Sequence, residues 1–277
     1  MAVAAADVVF GNVPAAWLAG APRLRWVQLD SAGVDAYLGL NHAPRSAPVV
    51  LTNLAGFYDR AVAEAALAGI LAFYRQLPRL LTAQAESRWV KTEIEPLVRS
   101  LDGNSVLVLG TGSIGRRLER LLTAFDASCR FFSRTARPGT LSSVAELETA
   151  LSEADLLINT LPHTPATIGF LHRARLARLK RGAVVVNVGR GSALDEAALV
   201  ELLDVDHLAG AILDVTALEP LPIESPLWRH PRVILMQHTG GRFPGEIERK
   251  IDVFLENFAR FTAGRPLQNI VAADRGY

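Results

Sequence analysis

The sequence predicts an α/β protein in which a doubly wound parallel sheet is joined to a second, smaller domain. Three observations support this fold class. From residue 105 onward, short apolar runs rich in β-branched residues alternate with helical patterns. The runs are almost continuously apolar, which is typical of strands that a parallel sheet buries on both faces. A glycine-rich turn at residues 110–115 follows the first run and opens a helical pattern, as in the first βαβ unit of such a sheet.

The strand candidates of this region precede and follow clear helical patterns. They are VLVLG (106–110), CRFF (129–132), DLLINTL (155–161), AVVVNVG (183–189), LAGAILDV (208–215) and VILMQH (233–238). The helical patterns between them cover residues 114–125, 143–151 and 193–203. Because crossovers between parallel strands are almost always right-handed, these units would cover both faces of the sheet with helices.

The segments on either side of this series indicate a discontinuous domain. Residues 60–82 and residues 245–262 each repeat apolar side chains at helical spacing, so each predicts one long helix. The first 58 residues add the strand-like runs DVVF (7–10), WVQL (26–29) and VVLTN (49–53). Those runs are too few for an independent domain. We therefore predict one domain from residues 1–58 and 244–277, and another from residues 59–243.

Composition and charge exclude several classes of function. The 277 residues carry 29 basic and 28 acidic side chains, whereas proteins that bind nucleic acid usually show a basic excess. No apolar run reaches the roughly 18 residues of a membrane span, and the N-terminus lacks a basic region and reaches Asp7 early, unlike a signal peptide. A single cysteine, Cys129, excludes an internal disulfide and cysteine-based metal clusters. We expect a cytoplasmic enzyme without a metal site.

The glycine-rich turn has the spacing Gly110-x-Gly112-x-x-Gly115. Alone this spacing is a weak signal, but here it follows a strand candidate and opens an amphipathic helix. In that setting the bare backbone at Gly112 allows a pyrophosphate to approach, and the first N–H groups of the helix point at it. The turn therefore predicts a dinucleotide site.

The residues about 20 positions further on favour NADPH over NADH. An NAD-preferring enzyme carries an acid there for the ribose hydroxyls, but this chain has Ser133 followed by Arg134. Without the acid, a 2′-phosphate is not repelled, and Arg134 can offer it a planar fork of N–H groups, with Arg137 as a second positive charge. The alternative is that Arg134 is an ordinary solvated loop arginine.

Polar residues follow three neighbouring strand candidates, where an open α/β sheet presents its ligand crevice. They are Arg190, Glu219 and His238, and Asp214 ends one of the strands. Taken singly, each has a structural explanation. These explanations are a helix cap for Arg190, a solvated turn for Glu219, a hydrogen-bonded strand end for His238, and a helix cap or turn for Asp214. Together, an arginine that binds an anion and a histidine beside a carboxylate predict an acid–base site.

The chain resembles the D-isomer-specific 2-hydroxyacid dehydrogenase family over nearly its whole length. The resemblance is carried by SAGVD (31–35), AVAEAAL (61–67), VLGTGSIG (108–115), INTLPHTPAT (158–167), LKRGAVVVNVGRG (179–191), LDVTALEPLPIESPLWRHPRV (213–233) and QHTGG (237–241). Within the family the chain is most similar to the NADPH-dependent glyoxylate/hydroxypyruvate reductases, through FFSRT and EPLPIESPLWRHPRV. The resemblance implies a Rossmann cofactor domain and a flavodoxin-like substrate domain.

The resemblance also assigns roles to residues. It implies that Arg190 binds the substrate carboxylate and polarises the 2-oxo group, that His238 is the acid–base, and that Glu219 is paired with it. The implied cofactor-binding set is Gly110, Gly112, Ser113, Ile114, Gly115, Ser133, Arg134, Leu161, Pro162, Thr167, Val188, Asp214 and Gly240. His163 falls at a variable loop position, which predicts a surface residue.

The smaller domain and the subunit boundary carry further implications of the resemblance. Backbone N–H groups near Ala32 and Gly33 match the segment that receives the substrate carboxylate. Relatives usually begin one βα unit earlier, which leaves two alternatives: the start of the sequence is mis-assigned, or the domain is trimmed at its N-terminus and has an open sheet edge. Trp89 matches a tryptophan near the subunit boundary and implies a homodimer; burial within one subunit is the alternative.

The function expected from these residues is reduction of a small 2-oxo acid by NADPH, with no nucleic acid or membrane as partner. Thr216 and Ala217 stand where bulkier residues are common, and Arg242 lies near the expected site, so the preferred 2-oxo acid stays open. Two rivals remain: oxidation of a larger D-2-hydroxy acid, and a dinucleotide-sensing protein without catalysis. The set Arg190, Glu219 and His238 argues against the sensor.

Overall fold

The computed structural model describes residues 2–40 and 48–272. The chain divides into two compact units, Met1–Tyr58 with Arg242–Tyr277, and Asp59–Gly241. The boundary after Gly241 therefore lies two residues before the domain boundary predicted from the sequence.

The strands are β1 Val8–Phe10, β2 Trp26–Gln28, β3 Val50–Thr52, β4 Ser105–Leu109, β5 Ser128–Phe132, β6 Thr140–Leu141, β7 Leu156–Asn159, β8 Ala183–Asn187, β9 Leu208–Leu213 and β10 Val233–Leu235. The α-helices are α1 Ala15–Ala19, α2 Asp59–Tyr74, α3 Leu77–Ala85, α4 Lys91–Ile94, α5 Ser113–Thr123, α6 Val144–Glu153, α7 Arg173–Arg178, α8 Glu196–Asp204 and α9 Glu246–Thr262.

The larger unit is the predicted doubly wound parallel sheet. Within Asp59–Gly241, which the structure describes throughout, seven parallel strands have the order β10-β9-β8-β7-β4-β5-β6. The chain runs from β4 outward through β5 and β6, then returns to β7 and runs outward on the other side through β8, β9 and β10. The strand order reverses between β4 and β7, and an open sheet forms its ligand crevice at such a point. The α/β fold class is confirmed.

Both faces of this sheet are buried, as the apolar runs predicted. All five residues of β8 are buried. One face packs against apolar side chains of α6, α7 and α8, including Leu147, Leu176 and Leu199. On the other side α2 lies so close to β9 that a Cβ at Gly69 would be 2.6 Å from the side chain of Ile212. The central strands are therefore held in place from both sides.

The predicted single helix over residues 60–82 is wrong. The structure ends α2 at Tyr74 and starts α3 at Leu77, with Gln76 between them in the left-handed conformation (φ 57°). Pro78 is in the first turn of α3, where its missing N–H costs no helical hydrogen bond. The apolar periodicity runs on through the break, so the spacing gave no sign of it.

Other element boundaries shifted by a few residues. The helical pattern predicted from residue 193 begins as α8 at Glu196, because Asp195 caps the helix by accepting a hydrogen bond from the Ala198 N–H. The short elements β6 and α7 were not predicted. None of the helices described above combines the length and apolar composition that a membrane span requires.

The smaller unit is built from segments on both sides of Asp59–Gly241 in the sequence. In its described part, three parallel strands have the order β1-β2-β3. A buried polar network joins this sheet to α9: the Asn257 side chain donates to Gln28 Oε1 (2.9 Å), which also accepts from the Thr52 hydroxyl (2.8 Å). Asn257 Oδ1 in turn accepts from the backbone N–H of Gln268 (2.8 Å). The Trp26 indole N–H donates to Thr52 (2.8 Å), so these buried side chains satisfy one another.

Candidate active site

The glycine-rich turn after β4 has the geometry of a phosphate cradle. Gly110 adopts φ 101°, which favours glycine, and a Cβ there would be 2.7 Å from Thr160 Oγ1. A Cβ at Gly115 would be 3.0 Å from the Gly110 carbonyl oxygen, so the helix packs tightly on the strand. At Gly112, by contrast, a Cβ would meet no heavy atom within 4 Å among the described residues.

The start of α5 fits the diphosphate of a dinucleotide. Gly112 is the N-cap of this 11-residue helix and offers no side-chain cap to the first N–H groups. Those N–H groups and the positive end of the helix dipole face the open space at Gly112, where Ser113 and Ile114 begin the first turn. The turn thus suits an anion that approaches the bare backbone, which is what a nicotinamide dinucleotide would bring.

The segment after β5, the strand paired with β4, presents positive charge. Ser133 is half-buried and its N–H donates to the Leu141 carbonyl (3.0 Å), which fixes the turn. Arg134 and Arg137 are exposed, and the sequence has no acid between Asp126 and Glu146. In the described part of the chain the Arg134 side chain has no hydrogen bond or ion pair, so its guanidinium remains available to an anion.

Two buried asparagines, neither of them predicted from the sequence, shape the carboxyl edge of the sheet. Asn159 and Asn187 end β7 and β8, are fully buried, and lie opposite each other in register. Asn159 Nδ2 donates to Asn187 Oδ1 (2.9 Å). The pair also forms hydrogen bonds with the loops that follow. The Leu161 N–H donates to Asn159, the Gly189 N–H donates to Asn187, and the Asn187 side chain donates to the Arg190 carbonyl. The only sequence signal is a polar residue ending each apolar run.

Glu219 and His238 form an imidazole–carboxylate pair. Glu219 Oε2 lies 2.6 Å from His238 Nδ1, and both side chains are partly exposed. The other carboxylate oxygen accepts the Thr216 N–H (3.0 Å). With Nδ1 held by the carboxylate, the remaining ring nitrogen, Nε2, is the one that can exchange a proton with a ligand.

Asp214 holds the turn that carries His238. The His238 N–H donates to the Asp214 carbonyl (2.6 Å), and the Asp214 carboxylate accepts the N–H groups of Thr239 and Gly240 (both 3.0 Å). Gln237 and His238 have φ values of 53° and 55°, a left-handed backbone that non-glycine residues rarely adopt. Burial raises the pKa of Asp214, although the Gly240 N–H and the charge of His238 favour its ionised form.

Arg190 follows β8 on the same edge. It lies three residues beyond Asn187, which is in register with Leu213 at the end of β9, while Leu213 is in register with Leu235 at the end of β10. The structure thus brings Arg190, Asp214 and His238 to neighbouring strand ends. One guanidinium N–H of Arg190 donates to the Gly189 carbonyl (2.9 Å). Beside the Glu219–His238 pair lies a cavity of about 410 Å³ whose apolar wall includes Leu221 and Trp228.

The loop after β7 is fixed largely by its own polar groups. The Thr167 hydroxyl donates to the Pro162 carbonyl (2.6 Å) and accepts the Thr164 N–H (2.8 Å). Leu161 and Pro162 are half-buried beside it, and Val188 on the next strand end is buried. His163, predicted to be a surface residue, is half-buried, with Nδ1 2.7 Å from the Ser192 hydroxyl.

In the smaller unit the loop after β2 presents free N–H groups. The Ala32 carbonyl accepts from the Asn53 side chain (2.8 Å), and the Gly33 carbonyl accepts from the Ser31 hydroxyl (2.7 Å). With the carbonyls engaged, the N–H groups of Ala32 and Gly33 have no acceptor in the described ranges. Their role toward a carboxylate stays a prediction. Across residues 2–40 and 48–272, no group of three His, Cys, Asp or Glu side chains is arranged to hold a metal ion.

Comparisons with known proteins agree with this geometry. The NAD-binding domain of the D-isomer-specific 2-hydroxyacid dehydrogenases matches residues 67–240. Glyoxylate/hydroxypyruvate reductase A of Salmonella paratyphi C is 34% identical over 275 residues, which cover 95% of this chain and 85% of the relative.

Two solved structures extend the likeness to three dimensions. The NADPH-dependent glyoxylate/hydroxypyruvate reductase of Sinorhizobium meliloti, in complex with NADP and sulfate, superposes with a TM-score of 0.84 at 27% identity and covers 98% of this chain and 88% of that one. A D-isomer-specific 2-hydroxyacid dehydrogenase of Xanthobacter autotrophicus, in complex with NADPH and MES, superposes with a TM-score of 0.83 at 32% identity, over 97% and 84% of the two chains.

The asparagine pair yields a stability prediction. The substitution Asn187→Ala leaves the Asn159 amide and the Gly189 N–H buried without their acceptor, so we expect the free energy of unfolding of the larger unit to fall by about 1–3 kcal/mol. Urea denaturation followed by circular dichroism measures the change. Arg120→Ala, at an exposed helical position of α5 in the same unit, should stay within about 0.5 kcal/mol of wild type. Equal stability of the two variants would contradict the role given to Asn187.

Proposed function

The chain belongs to the D-isomer-specific 2-hydroxyacid dehydrogenase family and is an oxidoreductase, and on this premise we propose that it reduces small 2-oxo acids of the glyoxylate/hydroxypyruvate type with NADPH. The observation that carries the proposal is the Glu219–His238 pair, which lies on the same sheet edge as Arg190 and Asp214. The product is a 2-hydroxy acid of D configuration, or glycolate when glyoxylate is reduced.

His238 is the proposed proton donor. Its Nδ1–H donates to Glu219, so the proton on Nε2 is the one delivered to the carbonyl oxygen as that oxygen becomes an alkoxide. The carboxylate keeps the ring in one orientation. NADPH, when bound, supplies the hydride that adds to the carbonyl carbon. One hydride and one proton together convert the 2-oxo group into the 2-hydroxy group.

Arg190 is the proposed anchor of the substrate carboxylate. A guanidinium offers two parallel N–H groups to a carboxylate, which fixes both the position and the rotation of a small acid. Two hydrogen bonds orient the loop that carries this side chain. The Asn187 side chain donates to the Arg190 carbonyl, and the Arg190 guanidinium donates to the Gly189 carbonyl. Holding the carboxylate in one place sets the 2-oxo carbon at a fixed distance from His238, which lowers the entropic part of the barrier.

The preference for NADPH is proposed from Ser133 and Arg134. A carboxylate at position 133 would repel a 2′-phosphate; two unit charges about 4 Å apart interact by ~4 kcal/mol at an effective dielectric near 20. Ser133 removes that repulsion, and the exposed guanidinium of Arg134 supplies an attraction instead. The NADP- and NADPH-bound relatives reported above support the same choice of cofactor.

A homodimer is the proposed assembly. Trp89 is 91% exposed in the single chain, so the alternative of burial within one subunit is wrong. The preceding helix, α3, also exposes Leu77, Leu80 and Leu81. Apolar side chains of this size, grouped on one short helix and the turn after it, are characteristic of protein–protein contacts. We assign this face to a second copy of the chain.

The cofactor proposal is tested by oxidation of NADPH and NADH in parallel, with glyoxylate, hydroxypyruvate and one bulky 2-oxo acid. We expect faster turnover with NADPH. The variant Arg134→Ala should raise the KM for NADPH about tenfold or more, the loss of one hydrogen bond to a charged group, and leave the KM for NADH unchanged. Arg120→Ala, an exposed arginine of α5, is the matched control. Binding of NADPH without turnover of any 2-oxo acid would favour the sensing protein instead.

The proton-donor assignment is tested with His238→Gln. Removal of the general acid should lower kcat for 2-oxo acid reduction by roughly 10²–10⁴ while the Kd for NADPH stays unchanged. Stopped-flow turnover and fluorescence titration measure the two quantities. His172→Gln, an exposed histidine before α7, should behave as wild type. A His238→Gln variant that retains full kcat would exclude this residue as the donor.

The assembly proposal predicts the mass in solution. Light scattering coupled to size-exclusion chromatography should give twice the 29.9 kDa of the chain. Trp89→Glu places a charge in the proposed apolar contact and should shift the protein toward monomer. Trp17→Glu, at a tryptophan 64% exposed in the smaller unit, should leave the dimer intact. A monomeric wild type, or a dimer that Trp89→Glu does not weaken, would contradict the proposal.

A further inference from the structure

The segment that carries Glu219 has few anchors of its own. Ala217, Leu218 and Glu219 are exposed, and Leu218 keeps 66% of its surface accessible. Two hydrogen bonds are internal to the segment: the Thr216 N–H to Glu219 Oε1 (3.0 Å) and the Thr216 hydroxyl to the Leu218 carbonyl (2.8 Å). These bonds fix the shape of residues 216–219, but they do not fix where the segment lies relative to His238.

Glu196 provides an anchor from outside the segment. It is the first residue of α8, and its Oε1 accepts the backbone N–H of Ala217 at 2.6 Å. Within Asp59–Gly241, where every residue is described, Glu196 and His238 are the residues outside 216–219 that hydrogen-bond to the segment. The α8 helix is packed into the sheet through Leu199 and Leu203, so the anchor is attached to a rigid element.

A role confined to α8 does not account for this contact. Asp195 already caps the helix, and an acid in the first turn favours the helix dipole equally well when it is solvated. Glu196 is instead half-buried against the segment. Burial raises its pKa, the Ala217 N–H lowers it, and the charge of Glu219 raises it.

The backbone of the neighbouring strand end adds a steric constraint. Gly191 follows Arg190, and a Cβ at Gly191 would overlap the carbonyl group of Thr216. The segment therefore lies directly against the Arg190 loop on one side and is tied to Glu196 on another. A shift of the segment away from α8 would move Glu219 with it, because Thr216 and Glu219 are bonded to each other.

We propose that Glu196 is a positioning residue: by holding the Ala217 N–H, it keeps the Glu219 carboxylate against Nδ1 of His238. The inference rests on the proposed function, in which the Glu219–His238 pair handles the proton. Glu196 acts through Glu219 and the backbone of residues 216–219.

Two substitutions separate the reach of Glu196 from its charge. Glu196→Asp keeps the negative charge at the helix start but shortens the side chain by one methylene, so the carboxylate no longer reaches Ala217. Glu196→Gln removes the charge but keeps an acceptor oxygen at the same distance. We expect kcat for 2-oxo acid reduction to fall about tenfold or more in Glu196→Asp, with the Kd for NADPH unchanged, and to be largely retained in Glu196→Gln. Glu201→Ala, on the same helix and paired with Arg173, is the matched control and should retain kcat.

The reverse pattern, with Glu196→Gln impaired and Glu196→Asp active, would identify a helix-dipole role and overturn the proposal. A double-mutant cycle adds a second readout. If Glu196 acts through Glu219, adding Glu196→Asp to Glu219→Gln should cause little further loss of kcat. Losses that multiply would show that Glu196 acts independently of Glu219, and would also overturn it.

A measurement without turnover separates this proposal from the proposed function. A proton shared between an imidazole nitrogen and a carboxylate gives a far-downfield NMR signal, which Glu219→Gln assigns by its loss. We expect the signal in wild type and in Glu196→Gln, and its loss or broadening in Glu196→Asp. If the wild type reduces none of the 2-oxo acids, the proposed function fails while this comparison still tests the anchor. An unchanged signal in Glu196→Asp would refute the positioning role.

Discussion

The parallel strands of the larger unit end in register with one another, and the rest of that unit depends on this constraint. Asn159 and Asn187 enforce it, because each is buried at a strand end and each satisfies the other as well as the backbone of the next loop. A slip of one strand against its neighbour would separate the amides inside an apolar core, where an unpaired polar group costs more than a hydrogen bond gains. The loops that carry Leu161 and Arg190 therefore start from fixed points.

Residues further along this edge adopt arrangements that lower stability but set the geometry of the site. Gln237 and His238 are kept in a left-handed backbone that disfavours side chains, and Asp214 is buried although burial opposes its charge. Neither feature improves the core. Together they aim the His238 ring at Glu219, and local strain of this kind persists only where surrounding bonds determine the conformation. The N–H groups of Thr239 and Gly240 provide those bonds.

The sequence was sufficient for the architecture of the larger unit, because buried parallel strands and amphipathic helices leave strong periodic patterns. It also predicted Arg190, Glu219 and His238 as site residues, since residues just after parallel strands meet at one edge. The break at Gln76 was missed because Pro78 is compatible with a helix start and the apolar spacing continues through it. Asn187 and Glu196 were missed for a different reason: their partners are 28 and 21 residues away, and no local pattern encodes a tertiary hydrogen bond.

The buried network of the smaller unit has a consequence for the order of events during synthesis. Gln28 and Thr52 find their partner Asn257 only after the intervening unit, Asp59–Gly241, has been made. The continuous unit Asp59–Gly241 can fold as soon as it emerges, whereas β1, β2 and β3 must wait with an unfinished core. The strands β1, β2 and β3 thus become native no earlier than α9, and until then they are exposed to chaperones and proteases.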